Sequence, residues 1–141
     1  LFRSLCSGTG EYAYLTDEEK KTLIQEGVKH INGRCPTIAQ TTALSTNECI
    51  DKARAAEDAG ASAIMVMPPF LEPPSERGVI YHYEAIAKSV RIPIVMYNAR
   101  GTQEQLIRIR MYCLHLLNVD VQHIHIKDLP EFTNIVALTL K

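Results

Sequence analysis

The sequence predicts an α/β fold of the (β/α)8 TIM-barrel type, on three observations. Strand-like and helix-like stretches alternate about every thirty residues. The strands are nearly continuous in apolar residues, as strands buried on both faces are. The chemically distinctive residues gather just after each strand, at residues 7–11, at Thr41 and Thr42, at 68–70, at 97–100, and at Lys127 and Asp128. Side chains delivered from five successive strand ends to one mouth are barrel behaviour, whereas an open doubly wound sheet concentrates its ligand at a single switch point.

Each element has its own local reason. Strands are predicted over residues 1–6, 35–39, 61–67, 92–97 and 121–127, with one helical pattern between each neighbouring pair, and connections of that length join parallel strands. Thr16-x-x-Glu19, Ser45-x-x-Glu48 and Thr102-x-x-Gln105 each spell a capping box, in which a hydroxyl and an acidic or amide side chain meet the free N–H groups of a helix start. Behind the first, Leu23, Ile24, Gly27, Val28 and Ile31 form an apolar stripe; behind the third, Leu106, Ile109, Cys113, Leu116 and Leu117 form another. Gly33 and Gly60 stand where helices should stop. The last strand, "HIHIKD", places His123, His125 and Lys127 on one face and Ile124 and Ile126 on the other. The closing stretch "TNIVALTLK" reads as the beginning of a further helix. The whole, residues 1–141, is taken as one domain.

Composition narrows the function classes. With 46% hydrophobic residues and a formal net charge of −1, the chain reads as an ordinary soluble globular protein rather than a nucleic-acid or membrane binder. Its longest apolar runs are strand-sized and no signal-peptide pattern opens it, which favours a cytoplasmic or organellar setting. Cysteines 6, 35, 49 and 113 make no C-x-x-C pair and read as reduced thiols. The chain opens without methionine inside the apolar "LFRSLC", so it is read as continuing on both sides.

The residues themselves suggest carbonyl chemistry. A lysine at the end of a strand, inside a barrel mouth, is partly desolvated, and a neutral amine attacks carbonyl carbons to form a Schiff base, an electron sink for making or breaking carbon–carbon bonds. Lys127 fits that role, Tyr97 fits a proton carrier to and from the intermediate, and "SGTG" at residues 7–10 offers backbone N–H groups and hydroxyls to a carboxylate. Each residue alone also has a plainer reading: a solvated strand end, a packing tyrosine, two turn glycines.

Four segments in order, "GTGEYAYLTDEEKK", "MPPFLEPP", "IPIVMYN" and "HIHIKD", resemble the dihydrodipicolinate synthase and N-acetylneuraminate lyase family of pyruvate-type class I aldolases. The resemblance covers essentially the whole chain. It implies a barrel whose second to sixth strands are present here, a Schiff base on Lys127, proton relay by Tyr97, and carboxylate binding by the loop at Gly8 and Thr9. It implies no metal or organic cofactor, a 2-oxo acid substrate with an aldehyde as a second one, and a homo-oligomer. Departures from the family pattern matter as well. Gly8 stands where dihydrodipicolinate synthases carry the first of two hydroxyl residues, and Phe70 replaces a relay tyrosine, while "GTGE" is spelled as in the sugar-acid dehydratase branch. Arg100 is a loose equivalent of the arginine that meets the second substrate, and His125 is bulky at an inward position.

Three other readings compete. Gly8-Thr9-Gly10-Glu11-Tyr12-Ala13 matches the dinucleotide fingerprint G-x-G-x-x-A, but the helix is predicted to start at Thr16, and Gln40-Thr41 ends the next strand without the acidic residue a ribose needs. His123-x-His125 could hold zinc, with Glu11, Glu72 and Asp128 as unplaced candidates, as in a metal-dependent barrel hydrolase. A truncated, catalytically inactive barrel module is the third; edge strands left open would then invite self-association.

Overall fold

The computed structural model describes residues 2–69 and 74–97, together with the backbone of residues 135–138. The chain runs β1 (Arg3–Leu5), two short 3-10 turns (Gly8–Gly10 and Tyr12–Tyr14), α1 (Asp17–Ile31), β2 (Thr37–Gln40), α2 (Thr46–Asp58), β3 (Ala63–Val66), α3 (Glu76–Ser89), β4 (Ile94–Tyr97) and β5 (Ile135–Leu138). The strands form one sheet in the order β1-β2-β3-β4-β5. The first four are mutually parallel, with Leu5 beside Ala39, Ala39 beside Ile64 and Ile64 beside Ile94. This is an arc of a TIM barrel: successive strands are neighbours, and each is linked to the next by a helix.

The helix starts follow the sequence signals to different degrees. At α1 both halves of the capping box form: Thr16 Oγ1 accepts from the Glu19 N–H at 3.3 Å, and Glu19 Oε2 accepts from the Thr16 N–H at 2.8 Å. At α2 only the first half forms, with Ser45 Oγ accepting from the Glu48 N–H at 3.2 Å. The Glu48 carboxylate instead takes Lys52 Nζ at 2.6 Å, one turn along. α3 is capped by Ser75, whose hydroxyl accepts from Gly78 N–H. Asn32 and Gly33 close α1 with φ of 47° and 71°, and Gly60 follows α2 with φ of 86°, left-handed conformations that favour glycine and asparagine. A Cβ on Gly27 would stand 3.0 Å from Leu5 Cδ2, so this glycine lets α1 lie close on β1.

Alternation along the strands separates two faces. Ala39, Ile64, Val66, Ile94 and Met96 join Cys49, Ala53, Val79 and Ile86 of α2 and α3 in the core. Gln40, Met65 and Val95 occupy the opposite face in register, with Tyr97 two residues beyond Val95. That second face is the barrel-interior side.

One expectation is corrected. The closing stretch, read as a helix, contributes β5, which pairs antiparallel to β4 with Ile94 opposite Leu138 and Tyr97 opposite Ile135. Ile-Val-Ala-Leu is too short for periodicity to separate helix from strand, and its β-branched residues suit the free edge of β4. The parallel strand predicted over residues 121–127 lies outside the described residues, as does the capping box at Thr102.

Candidate active site

Parallel pairing brings the carboxyl ends of β1 to β4 to one side of the sheet. At β1, Cys6 turns the chain with a left-handed φ of 57° and leads into the turn that carries Gly8 and Thr9. The amides of Gly10 and Glu11 bond back to Ser7 O at 2.8 Å and Gly8 O at 3.1 Å; the first amides of such a turn have no acceptor within it. Gly8 and Thr9 are exposed, and no side chain crowds the Gly8 Cα. At β4, Tyr97 ends the strand half-buried. Between them stand β2 and β3, so with strands about 4.8 Å apart the turn and Tyr97 face one another across roughly 14 Å of sheet. Lys127, Arg100 and Phe70 lie outside the described residues, and so do His123, His125 and Asp128.

The floor between these two edges is polar and was only partly visible in the sequence. Gln40 Nε2 donates to Thr42 Oγ1 at 3.0 Å, and the same oxygen accepts from the Met67 N–H at 2.9 Å, which ties the end of β2 to the end of β3. Thr41, predicted as part of the mouth, is buried; its carbonyl accepts from Cys49 Sγ at 3.2 Å, and its hydroxyl finds no partner among the described residues. Gln40 Oε1 is likewise buried without a partner there. A hydrophilic "QTT" closing an apolar strand was the available signal; which of the three side chains turns to which face follows only from register.

Beside the floor, α1 and α2 are joined by charge. Lys52 Nζ lies 3.0 Å from Asp17 Oδ1 and 2.6 Å from Glu48 Oε1, and Lys20 Nζ lies 3.2 Å from Asp17 Oδ1. Bonds from Lys52 and Lys20 hold the Asp17 carboxyl below the ordinary carboxylate range. For Lys52, burial presses the ammonium toward neutrality, but Glu48 and Asp17 outweigh it and the pKa is raised. A small cavity of about 30 Å³ lies here, lined in part by Tyr12, Lys20, Lys52, Gln40 and Thr42. Neither buried thiol is primed as a nucleophile: burial raises Cys6 against the opposing effect of Lys20 and Lys52, and burial pushes Cys49 up to about 12. Among the described residues no group of three or more His, Cys, Asp or Glu is placed to hold a metal ion, and no helix is long and apolar enough to cross a membrane.

An arc of parallel strands, each followed by a helix, with an exposed turn and a tyrosine at the strand carboxyl ends, is the architecture of a TIM-barrel chain. A model of the dihydrodipicolinate synthetase family matches residues 4–138, and the chain belongs to that family. It is 33% identical over 134 residues to the 4-hydroxy-tetrahydrodipicolinate synthase of Acetivibrio thermocellus, covering 95% of this chain and 41% of the relative. With the Bacillus subtilis synthase it shares 40% identity over 93 residues, 66% of this chain and 32% of the other. Among solved structures, the chloride-inhibited dihydrodipicolinate synthase of Acinetobacter baumannii complexed with pyruvate superposes with a TM-score of 0.71 at 34% identity, over 77% of this chain and 39% of that one. The Aquifex aeolicus dihydrodipicolinate synthase gives a TM-score of 0.72 at 29% identity, over 82% of this chain and 42% of that one. The chain thus spans 41% and 32% of the two curated relatives. α1 begins at Asp17, beyond both 3-10 turns, so the glycines of the dinucleotide-like motif do not open a helix.

Proposed function

We propose that the protein is a Schiff-base-forming lyase that acts on pyruvate or a related 2-oxo acid. The observation that carries this reading is membership of the dihydrodipicolinate synthetase family together with a lysine in the "HIHIKD" segment, the residue type that Schiff-base chemistry needs. Lys127 is the covalent nucleophile: its amine adds to the 2-oxo carbon and water leaves. The iminium so formed accepts the electron pair released when a bond at the neighbouring carbon breaks. Tyr97 carries the protons of that step, and the exposed turn at Gly8 and Thr9 offers backbone N–H groups to the carboxylate. Arg100 and Phe70 are the residues assigned to a second substrate, an aldehyde or the remainder of a sugar acid.

The lysine supplies the electron sink, so the mechanism calls on no metal or organic cofactor. Gly8 in place of a hydroxyl and Phe70 in place of a tyrosine weigh against the strict synthase reaction, and favour aldol cleavage or sugar-acid dehydration. A homo-oligomer and a cytoplasmic setting complete the reading. The similarity to a pyruvate-bound synthase supports it.

Borohydride trapping tests it. The chain is incubated with pyruvate and reduced, and the adduct is mapped by mass spectrometry. A stable adduct on Lys127 that disappears in Lys127→Ala is the expected result. A folded protein with no adduct from pyruvate or from a longer 2-oxo acid would overturn the proposal.

A further inference from the structure

The peptide unit between Val66 and Met67 is gripped from two sides by side chains. Its carbonyl, Val66 O, accepts from the buried Tyr83 hydroxyl of α3 at 3.1 Å, and its amide, the Met67 N–H, donates to Thr42 Oγ1 at 2.9 Å. The ladder between β2 and β3 has ended by this point: its last pair sets Gln40 beside Met65, and the Thr41 N–H donates to Met65 O at 3.0 Å. Thr41 O, the carbonyl next in line for the Met67 N–H in a parallel ladder, accepts from Cys49 Sγ at 3.2 Å, so the Thr42 hydroxyl stands in for it. Gln40 Nε2 donates to that same hydroxyl oxygen at 3.0 Å, which commits both its lone pairs to fixed donors. The gripped unit borders the candidate site. Val66 is the register partner of Met96, and Tyr97 is the residue that follows.

We infer that Thr42 and Tyr83 are positioning residues that together clamp the Val66–Met67 peptide, and so hold Tyr97 where it can move protons at carbon 3 of a bound 2-oxo acid. This rests on the reading of the strand ends as a 2-oxo acid site with Tyr97 as its proton carrier. Neither side chain has to touch the substrate, since Tyr83 lies in the core between the sheet and the helices. Proton transfer demands hydrogen-bond reach, and a displacement of about 1 Å at a reacting group can cost up to about 10²-fold in rate. A strand end past its ladder is free to drift on that scale, whereas one held through both its C=O and its N–H is not. A shift of the β3 end passes to Tyr97 because β3 and β4 are paired up to Val66 and Met96. One peptide held by two grips also behaves as a unit, so losing either grip frees it and losing the second adds little.

Pyruvate in heavy water is the probe. As the Schiff base on Lys127 passes to its enamine a proton leaves carbon 3, and a deuteron returns when the enamine reverts, so deuterium entering the methyl group reads proton transfer while borohydride trapping reads the Schiff base itself. Tyr83→Phe and Thr42→Val each remove one hydroxyl and keep the outline of the side chain. Each is expected to lower the exchange rate at saturating pyruvate about tenfold, per folded protein by circular dichroism, with the half-saturating concentration and the trapping yield unchanged. Thr42→Ser, which keeps the acceptor, recovers most of the rate, and the double variant is no slower than the slower single one. Full-rate exchange in either folded variant, a loss confined to the half-saturating concentration, equal rates for Thr42→Ser and Thr42→Val, or losses that multiply in the double variant each overturn the inference. Amide hydrogen exchange on the unaltered chain is a further check: the Met67 amide should be protected as well as the ladder amide of Ile64, and an unprotected Met67 overturns the clamp whether or not any variant folds. Trapping on Lys127 with carbon 3 exchange absent, or indifferent to both variants, leaves the lyase reading standing and removes the clamp. A chain that neither traps nor exchanges pyruvate or a longer 2-oxo acid ends both.

Discussion

At the scale of single residues, Lys127, Tyr97, Gly8 and Thr9 are candidates because four ordered motifs resemble one family and not because any of them is unusual alone, whereas His82 looks like any polar residue in a helix. The structure buries it: Nδ1 lies 3.0 Å from Thr46 Oγ1, the ring meets Tyr83 edge-on at 5.4 Å, and Nε2 has no partner among the described residues. Burial lowers its pKa below the ordinary 6.5. The unfolded chain therefore binds the proton first as pH falls. Stability is fully present above about 6.5, declines as pH drops through the lowered folded value, and is level below it. Urea midpoints measured from pH 7.5 to pH 4.5 should fall more steeply for the natural protein than for His82→Gln, which can still bond Thr46 but does not titrate. Parallel curves would show that other groups govern the acid side.

At the scale of elements, the alternation of strand and helix was legible through the first four strands, because parallel strands buried on both faces need continuous apolar runs and each helix needs a start signal. The residues forming β3 fall within the predicted 61–67 run, shortened to Ala63–Val66, and Ala61 before them is buried in the core. What escaped was the choice of partner. Glu48 completes no box because Lys52 sits one turn away and Asp17 lies across from it, and β5 is chosen by the edge of β4 instead of by its own periodicity. The two caps should differ accordingly. Thr16→Ala removes two bonds of one hydroxyl, the one accepted from the Glu19 N–H and the one donated to Glu19 Oε2 at 2.7 Å, and is expected to cost about 1 kcal/mol or somewhat more, while Ser45→Ala removes one bond and should cost less. Chemical denaturation of both variants side by side checks the order. An equal or reversed order would mean that the bond from the Thr16 hydroxyl to the Glu19 carboxylate contributes nothing.

At the scale of the molecule, one sheet carries both the core and the candidate site, since the strands that end near Gln40 and Tyr97 put Ala39, Ile94 and Met96 into the core. β3 stands at the middle of the order β1-β2-β3-β4-β5, and its Ile64 and Val66 are fully enclosed together with Val79 and Ile86 of α3. β1 lies at one end of that order, and its Leu5 is half-buried, lying over Gly27 of α1. Ile64→Ala removes atoms from a place with no room to collapse and is expected to cost about 2–5 kcal/mol, a large share of what a domain has to lose. Leu5→Ala should cost about half as much, since part of its surface already meets solvent. The functional consequence differs in kind as well as size. Ile64 sits two residues before the end of the strand that Thr42 ties to β2 through the Met67 amide, so loosening it should disturb that strand-end junction and weaken trapping of 2-oxo acids even in the fraction that stays folded. Leu5→Ala should lower the urea midpoint while the folded fraction traps at an undiminished rate. Single-turnover trapping, normalised to folded protein by circular dichroism, reads the difference. Equal loss in both variants would show that the site depends on the sheet as a whole and not on its β2–β3 junction.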